Sequence, residues 1–275
     1  MGRIKNTASV LWNLSPKRIW KYICGGSISG IKLNLYRKLL KLPPKKEAEM
    51  LFYGRKLHIA DASSFIYMHR EIFINGLYKF NSASSAPFII DCGTNIGLSV
   101  IYFKLLFPNA RIIAFEPDPF IFGILEKNIK SFGLGEVALY PLGIGQREEL
   151  GYFLSDKSDG GRFVLNEAPG TSPVKIVPLS QYMQGAIDFL KIDIEGNETE
   201  ALEEIKDKLT LVKNLFIEYH SYKGKEQELD KLLEILRIAG FRYEIQSVFN
   251  RKSPFIPFKS GGLMDMQLNI CAVRE

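Results

Sequence analysis

An α/β fold built on a mostly parallel sheet is predicted by three observations. From Phe88 onward, short apolar runs of strand type alternate with stretches of helical period. Turn chemistry closes the helical stretches, at Pro108, Gly133 and Gly240. The apolar runs end in acidic or glycine-rich residues, and open parallel sheets bind ligands beyond the carboxyl ends of their strands.

Residues 1–86 read as a basic N-terminal extension containing helices and a β-hairpin. "KLPPKKE" (Lys41–Glu47) breaks a short basic helix, and "MLFYGRKLHIAD" turns back on itself near Gly54. Tyr67–Phe80 is helical or mixed and rich in aromatic residues, and "NSASSAP" (Asn81–Pro87) is a small-polar linker that marks the boundary. Residues 87–275 form the second unit. "FIID" is its first strand, followed by a helix from Ile96 to Phe107 and the strand "RIIAFEP". Asp118 then stands as an N-cap with Pro119 at the first helical position. Ile121, Ile124, Leu125, Ile129 and Phe132 make the apolar stripe of that helix, which Gly133 ends. "VALYPLGIG" is a third strand with its loop, and residues 150–177 look like a β excursion turning at Gly160–Gly161. "DFLKIDIEG" and "NLFIEYH" are the fourth and fifth strands, and Asn197 with Glu200 has capping-box spacing between them. Leu229, Leu232, Leu233 and Leu236 follow helical spacing. "RYEIQSV" and "QLNICAV" suit a closing antiparallel pair.

The 275 residues are 46% hydrophobic and 24% charged, an ordinary globular balance. No uncharged apolar run reaches transmembrane length, and the first thirty residues lack a secretory h-region and cleavage site. Three scattered cysteines (Cys24, Cys92, Cys271) predict reduced thiols in a cytoplasmic protein rather than disulfides or a zinc site. Residues 1–46 hold eleven Lys/Arg and no acid, leaving 25 basic and 30 acidic residues in the remainder. That arm is either a solvated extension with helices packed on the domain, or an adhesion surface for an anionic substrate or the inner face of a membrane. Trp12, Ile19 and Trp20 among its lysines suit the second. Nucleic acid is disfavoured as a partner, because the basicity stops where the second unit begins.

The first strand end reads "DCGTNIG", Asp91–Gly97. Gly93 and Gly97 allow a tight turn and close backbone approach before a helix. Glu116, twenty-three residues after Gly93, ends the second strand at a distance suited to holding both ribose hydroxyls. A dinucleotide fold would show G-x-G-x-x-G, whereas the spacing here is G-x-x-x-G with a carboxylate beside it. A carboxylate there repels a pyrophosphate and favours a cofactor with a positive amine and no phosphate, such as S-adenosylmethionine (SAM). A plain strand-to-helix turn with a capping acid is the bland alternative.

"FIIDCGTNIGLS", "IIAFEPDP" followed by "NI", "FLKIDIEGNE" and "LFIEYH" stand in this order, and "EIFINGLYKF" precedes them. Together they resemble the FkbM-type family of SAM-dependent methyltransferases over about Phe88–Val273. The resemblance implies a class I methyltransferase (Rossmann-like) fold: a seven-stranded, mostly parallel sheet with helices on both faces and the last strand antiparallel. It implies O-methylation of hydroxyls on natural products or on sugars of surface glycans, that is, polysaccharide modification. Carried over, Asp91, Gly93, Thr94, Asn95 and Gly97 would wrap the methionyl half of SAM. Glu116 would hold the ribose, and Gly143 and Ile144 would border the adenine.

Methyl transfer to a hydroxyl needs alignment and a route for the departing proton. Alternation puts Lys191, Asp193 and Glu195 on one side of strand four, and Phe216, Glu218 and His220 on one side of strand five. Adjacent strand ends would bring Asp193, Glu195, Glu218 and His220 to one rim. Three chemical readings stand open: His220 as general base oriented by a carboxylate, Asp193 or Glu195 as proton acceptor or hydroxyl-orienting group, or the carboxylates and His220 holding a divalent metal. A fourth is structural, with Glu195 and Glu198 capping the next helix and His220 merely satisfied. His58, His69 and Cys92 read as packing or surface residues. The loop Phe249–Met266 is either a plain connection or a cradle for an acidic sugar, offering Phe249, Phe255, Phe258, Arg251, Lys252 and Lys259. The [DNS]-P-P-[YFW] stretch of amino methyltransferases acting on nucleic acid is absent, with "DIEG" in its place. A SAM-binding regulatory or scaffold protein without turnover is the non-enzymatic alternative.

Overall fold

The structure is a computed structural model that describes residues 33–249, 255 and 264–274. Most of the basic arm, with Trp12, Ile19, Trp20 and Cys24, lies outside the described residues, as do Arg251, Lys252, Phe258 and Lys259.

Helix α1 (Leu33–Leu39) leads to a hairpin of β1 (Ala48–Phe52) and β2 (Arg55–Ile59). Its two-residue turn, Tyr53–Gly54, has both φ angles positive, at 48° and 74°, the geometry that matches strand twist. Asp61 caps α2 (Ala62–His69) by accepting from the Ser64 backbone N–H at 2.9 Å, and the chain continues as a π-helical turn, Arg70–Ile74. The helical alternative expected for Tyr67–Phe80 thus holds as far as Ile74.

The main sheet then begins: β3 (Phe88–Cys92), α3 (Leu98–Leu106), β4 (Arg111–Phe115), α4 (Pro119–Phe132) and β5 (Val137–Tyr140). Asp118 caps α4 through the Phe120 N–H at 2.9 Å, and Gly133 ends it at φ 63°, both as predicted. The chain next leaves the sheet. "VALYPLGIG" is not one strand and its loop, because β6 (Gly143–Gly145) pairs with β9 (Thr171–Pro178) in a second sheet with β7 (Glu149–Leu154) and β8 (Arg162–Val164). The main sheet resumes with β10 (Ile187–Ile192), α5 (Glu198–Glu204), β11 (Val212–Tyr222), α6 (Leu229–Ile238), β12 (Arg242–Ser247) and β13 (Met264–Val273). Its order is β12-β13-β11-β10-β3-β4-β5, with β13 antiparallel to both neighbours. This is the predicted seven-stranded Rossmann-like sheet. Asn197 makes no side-chain cap to α5, contrary to the capping-box expectation.

Two apolar cores cover the two faces. One joins Leu190, Ile217 and Ile270 to Leu202, Leu232 and Leu236 of α5 and α6. The other joins Phe103, Phe189 and Phe216 to Phe52, Phe65, Phe73 and Tyr78. The 81–87 boundary therefore divides the chain but not the core: residues 36–80 close one face of the sheet. His69 is fully buried there, 5.3 Å from and stacked on Phe73, as a packing residue. Among the described residues, no helix is long and apolar enough to cross a membrane.

Candidate active site

Chain order runs outward from β3 to β5 on one side, then returns to β10 and β11 on the other. The reversal lies between β3 and β10, where ligand crevices form in such sheets. The loops leaving these strands meet backbone to backbone. Gly93 has φ 80°, and a Cβ there would lie 1.7 Å from the Asp193 carbonyl oxygen. The Asp193 N–H donates to the Cys92 carbonyl at 3.1 Å.

Every amide of the loop Gly93–Gly97 has a partner within the protein. Gly93 and Thr94 donate to the Phe115 carbonyl at 3.0 and 2.9 Å, and Gly97 donates to the Thr94 carbonyl at 3.1 Å. Asn95 donates to Glu116 Oε2 and Ile96 to Asn95 Oδ1, both at 2.8 Å. Those five amides leave no anion nest for a pyrophosphate. Asn128 holds the loop from behind, donating to the Ile96 carbonyl at 2.8 Å while it binds His58 of the hairpin. Glu116 accepts from Asn95 and, at 2.9 Å, from the Asp118 N–H. It is 6% exposed, and burial pushes its carboxyl up to about 8.

A cleft of about 1170 Å³, counted out to its open mouth, runs over this switch point. Gly93, Thr94, Asn95, Glu116, Gly143 and Ile144 all line it. Asp91 does not. Its carboxylate is fully buried beneath the loop, accepting from Ser99 Oγ at 2.5 Å and facing Lys191 Nζ at 3.5 Å. Asp91, expected against the methionyl group, lies beneath the loop, where it supports the loop and Lys191. Gly97 is likewise structural, since a Cβ there would meet Leu125 at 2.7 Å.

On the other side, Lys191 Nζ sits 3.0 Å from Asp193 and donates to the Gly93 carbonyl at 2.8 Å. Asp193, Glu195 and Glu218 line the cleft. Burial pushes Glu195 up to about 8, with His220 opposing the rise and Asp193 adding to it. Burial and the Asp193 charge do the same to Glu218, also to about 8. Tyr222 donates its hydroxyl to Glu195 at 2.9 Å, and Gln267 donates to Glu218 at 2.5 Å.

His220 is 5% exposed and stands behind this wall. Its Nδ1 lies 2.9 Å from Glu198, which also accepts from the Gly196 N–H at 2.8 Å. Glu198 opens α5 in sequence, but its side chain turns back to orient His220 and to bind the loop. Burial opposes a charge on His220, yet Glu198, with Glu195 and Asp193 beyond, outweighs it and holds the imidazole well above its ordinary value. His220 Nε2 is 3.8 Å from Glu195. Donor atoms of Asp193, Glu195 and His220 all lie within 4.8 Å of one another, so these three could hold a divalent cation.

Sequence reasoning missed several lining residues. Tyr67 and Glu71 reach the cleft from α2 and the π-helical turn, Ser158 and Asp159 from the loop between β7 and β8, and Gln267 and Asn269 from β13. Only "EIFINGLYKF", singled out by its resemblance, pointed to part of this wall. Phe249 and Phe255 are exposed and do not line the cleft.

Residues 91–243 match the family model of the methyltransferase FkbM domain. The chain belongs to the FkbM methyltransferase family. Methyltransferase sdnD of Sordaria araneosa is 29% identical over 206 residues, covering 61% of this chain and 80% of that protein. The 31-O-demethyl-FK506 methyltransferase FkbM of Streptomyces tacrolimicus is 25% identical, covering 64% and 81%. Ribosomal RNA small subunit methyltransferase G of a Thermoanaerobacter strain is 24% identical, covering 64% and 75%. A crystal structure of the FkbM methyltransferase from Methylobacillus flagellatus KT is 18% identical with a TM-score of 0.48, covering 76% of this chain and 53% of that one. As a member of this family the chain is a SAM-dependent methyltransferase. The residues present fit that cofactor: the loop amides are all paired within the protein and offer no pyrophosphate nest, Glu116 puts a carboxyl on the wall, and Ile144 and Phe163 are apolar.

Proposed function

We propose that this FkbM-family enzyme is an O-methyltransferase acting on a hydroxyl of a sugar or similar small hydroxylated acceptor. In that reading Glu195 or Glu218, both on the cleft wall, takes up the hydroxyl proton. One observation carries it: two carboxyls on the cleft wall, each raised by burial to about 8, within reach of ordinary working pH. A base is most useful when its pKa lies near the pH at which it works. Gly93, Thr94, Asn95 and Glu116 would hold SAM, which would supply an electrophilic sulfonium methyl for the acceptor oxygen.

The residues divide the remaining tasks. Glu195, tied to Tyr222, and Glu218, tied to Gln267, hold fixed positions from which to accept the proton. His220 is set apart from the acceptor in this reading, because it is buried behind the wall and its Nδ1 is taken up by Glu198, whose charge raises the imidazole well above its ordinary value. It serves as a buried positive charge beside Glu195, favouring the ionised carboxylate. Glu198 is a positioning residue acting through His220 and the Gly196 amide.

The test is methyl transfer from isotopically labelled SAM to a panel of hydroxylated acceptors across pH 6–9. Turnover at limiting acceptor should rise with pH toward about 8 as these carboxyls ionise. Glu195→Gln with Glu218→Gln should abolish transfer while SAM still binds. Full turnover in that double variant would overturn the base assignment, and transfer only to nitrogen or carbon acceptors would overturn O-methylation.

A divalent metal at Asp193, Glu195 and His220 is a second reading, favoured by the convergence of their donor atoms and by Glu198 bracing Nδ1, as carboxylates do behind metal-bound histidines. Activity lost to a chelator and restored by Mg²⁺ or Mn²⁺ would support it.

A further inference from the structure

We propose that Glu218 and Asn269, facing Tyr67 across the cleft, form the subsite that holds the acceptor, and that it selects a polyhydroxylated ring carrying no phosphate or carboxylate. The inference rests on the O-methyltransferase reading and names its substrate class.

Glu218 and Asn269 are paired directly in the β11–β13 register, so their side chains leave the same face of the sheet side by side. Asn269 is 7% exposed and lines the cleft, and its side-chain oxygen has no hydrogen-bond partner among the described residues. Buried amide oxygens are seldom left unpaired, and a small turn of this cleft-lining side chain lets a bound ligand supply the missing donor. Tyr67 brings a phenol from α2, immediately before the π-helical turn at Arg70–Ile74. Single π turns inside helices recur at functional sites. A carboxyl, an amide and a phenol make a mixed set of donors and acceptors. Sugar hydroxyls, each a donor and an acceptor, satisfy such a set.

Charge sets the exclusion. Glu71, Glu116, Asp118, Asp159, Asp193, Glu195 and Glu218 line the cleft. Lys191 is the sole cation among the described lining residues, and Asp91 and Asp193 already neutralise it. Arg70 lies nearby but is paired with Glu71 at 2.8 Å. Burial keeps Glu116, Glu195 and Glu218 largely uncharged near neutral pH, so Asp118 and Asp159 set the field there and the three glutamates add to it above about pH 8. An anionic group would enter against these carboxylates, and in a partly buried cleft that repulsion is weakly screened. Nucleotides, sugar phosphates and uronic acids are therefore poor occupants, whereas an uncharged glycoside is not.

The experiment loads the protein with S-adenosylhomocysteine and titrates it calorimetrically with uncharged p-nitrophenyl hexosides and their 6-carboxylate and 6-phosphate counterparts. At least one uncharged glycoside should bind, with its anionic counterparts at least tenfold weaker. Asn269→Ala and Tyr67→Phe should each weaken that glycoside about fivefold or more, with S-adenosylhomocysteine affinity unchanged as the control for folding. Equal or tighter binding of the anionic counterparts would overturn the proposal. So would no binding by any uncharged glycoside, or unchanged glycoside affinity in Asn269→Ala. Labelled methyl transfer measured alongside separates the two claims. Discrimination in binding without transfer to any hydroxyl leaves the subsite standing and removes the O-methyltransferase reading. Transfer to hydroxyls of anionic acceptors does the reverse.

Discussion

Replacing Glu116 by Gln should make the stability difference from the wild type change sign with pH. Glu116 is 6% exposed, and burial raises its carboxyl from 4.5 to about 8. The folded state thus holds this proton more tightly than the unfolded chain does. The resulting stabilisation is complete below about pH 4.5 and is lost as pH rises through about 8. A shift of that size corresponds to roughly 5 kcal/mol over the whole window, of which about 4 falls between pH 5 and pH 9. Gln does not titrate, so the variant lacks this slope. It also keeps only one oxygen to accept from Asn95 and Asp118, costing about 1 kcal/mol at every pH. At pH 5 the wild type should therefore be the more stable by about 1 kcal/mol. At pH 9 the variant should lead by about 3 kcal/mol. Urea unfolding of ligand-free protein at pH 5, 7 and 9 measures the difference, in which slopes common to both proteins cancel. A difference that stays flat within about 1 kcal/mol, or that grows in favour of the wild type with rising pH, would refute the reasoning.

Gly93→Ala should abolish SAM binding and lower the melting temperature, since its Cβ would strike the Asp193 carbonyl and the backbone has φ 80°; calorimetric SAM titration and a thermal melt check it. Lys191→Met should cost about 3–5 kcal/mol in urea unfolding, because it strips the cation from fully buried Asp91. In Glu198→Gln the His220 imidazole should titrate at lower pH by NMR, and kcat should fall about tenfold or more with the SAM affinity near wild type. An unmoved His220 titration would deny Glu198 its positioning role.

Much of this site was legible along the chain because its signals are local. A glycine pair before a helix, an acid at the next strand end, a proline after an N-cap and a two-residue hairpin turn each act over a few residues. Periodicity in the same way predicted a mostly parallel sheet, and the family resemblance supplied its seven strands and the antiparallel last one. Where each side chain finally points is another matter. Asp91 sits in the expected loop motif, yet it turns under the loop because Lys191, on the adjacent strand, can neutralise it there. Glu198 has the position of a helix-capping acid but serves His220, twenty-two residues away. Tyr67 and Glu71 reach the cleft only because an aromatic core fastens residues 36–80 to one face of the sheet. Gln267 and Asn269 reach it only through the antiparallel register of β13. The sequence by itself determined the elements and the cofactor loop, because backbone geometry and periodicity are local properties. The acceptor wall was decided by the tertiary structure, because buried charges take their partners from whichever strands the topology sets beside them.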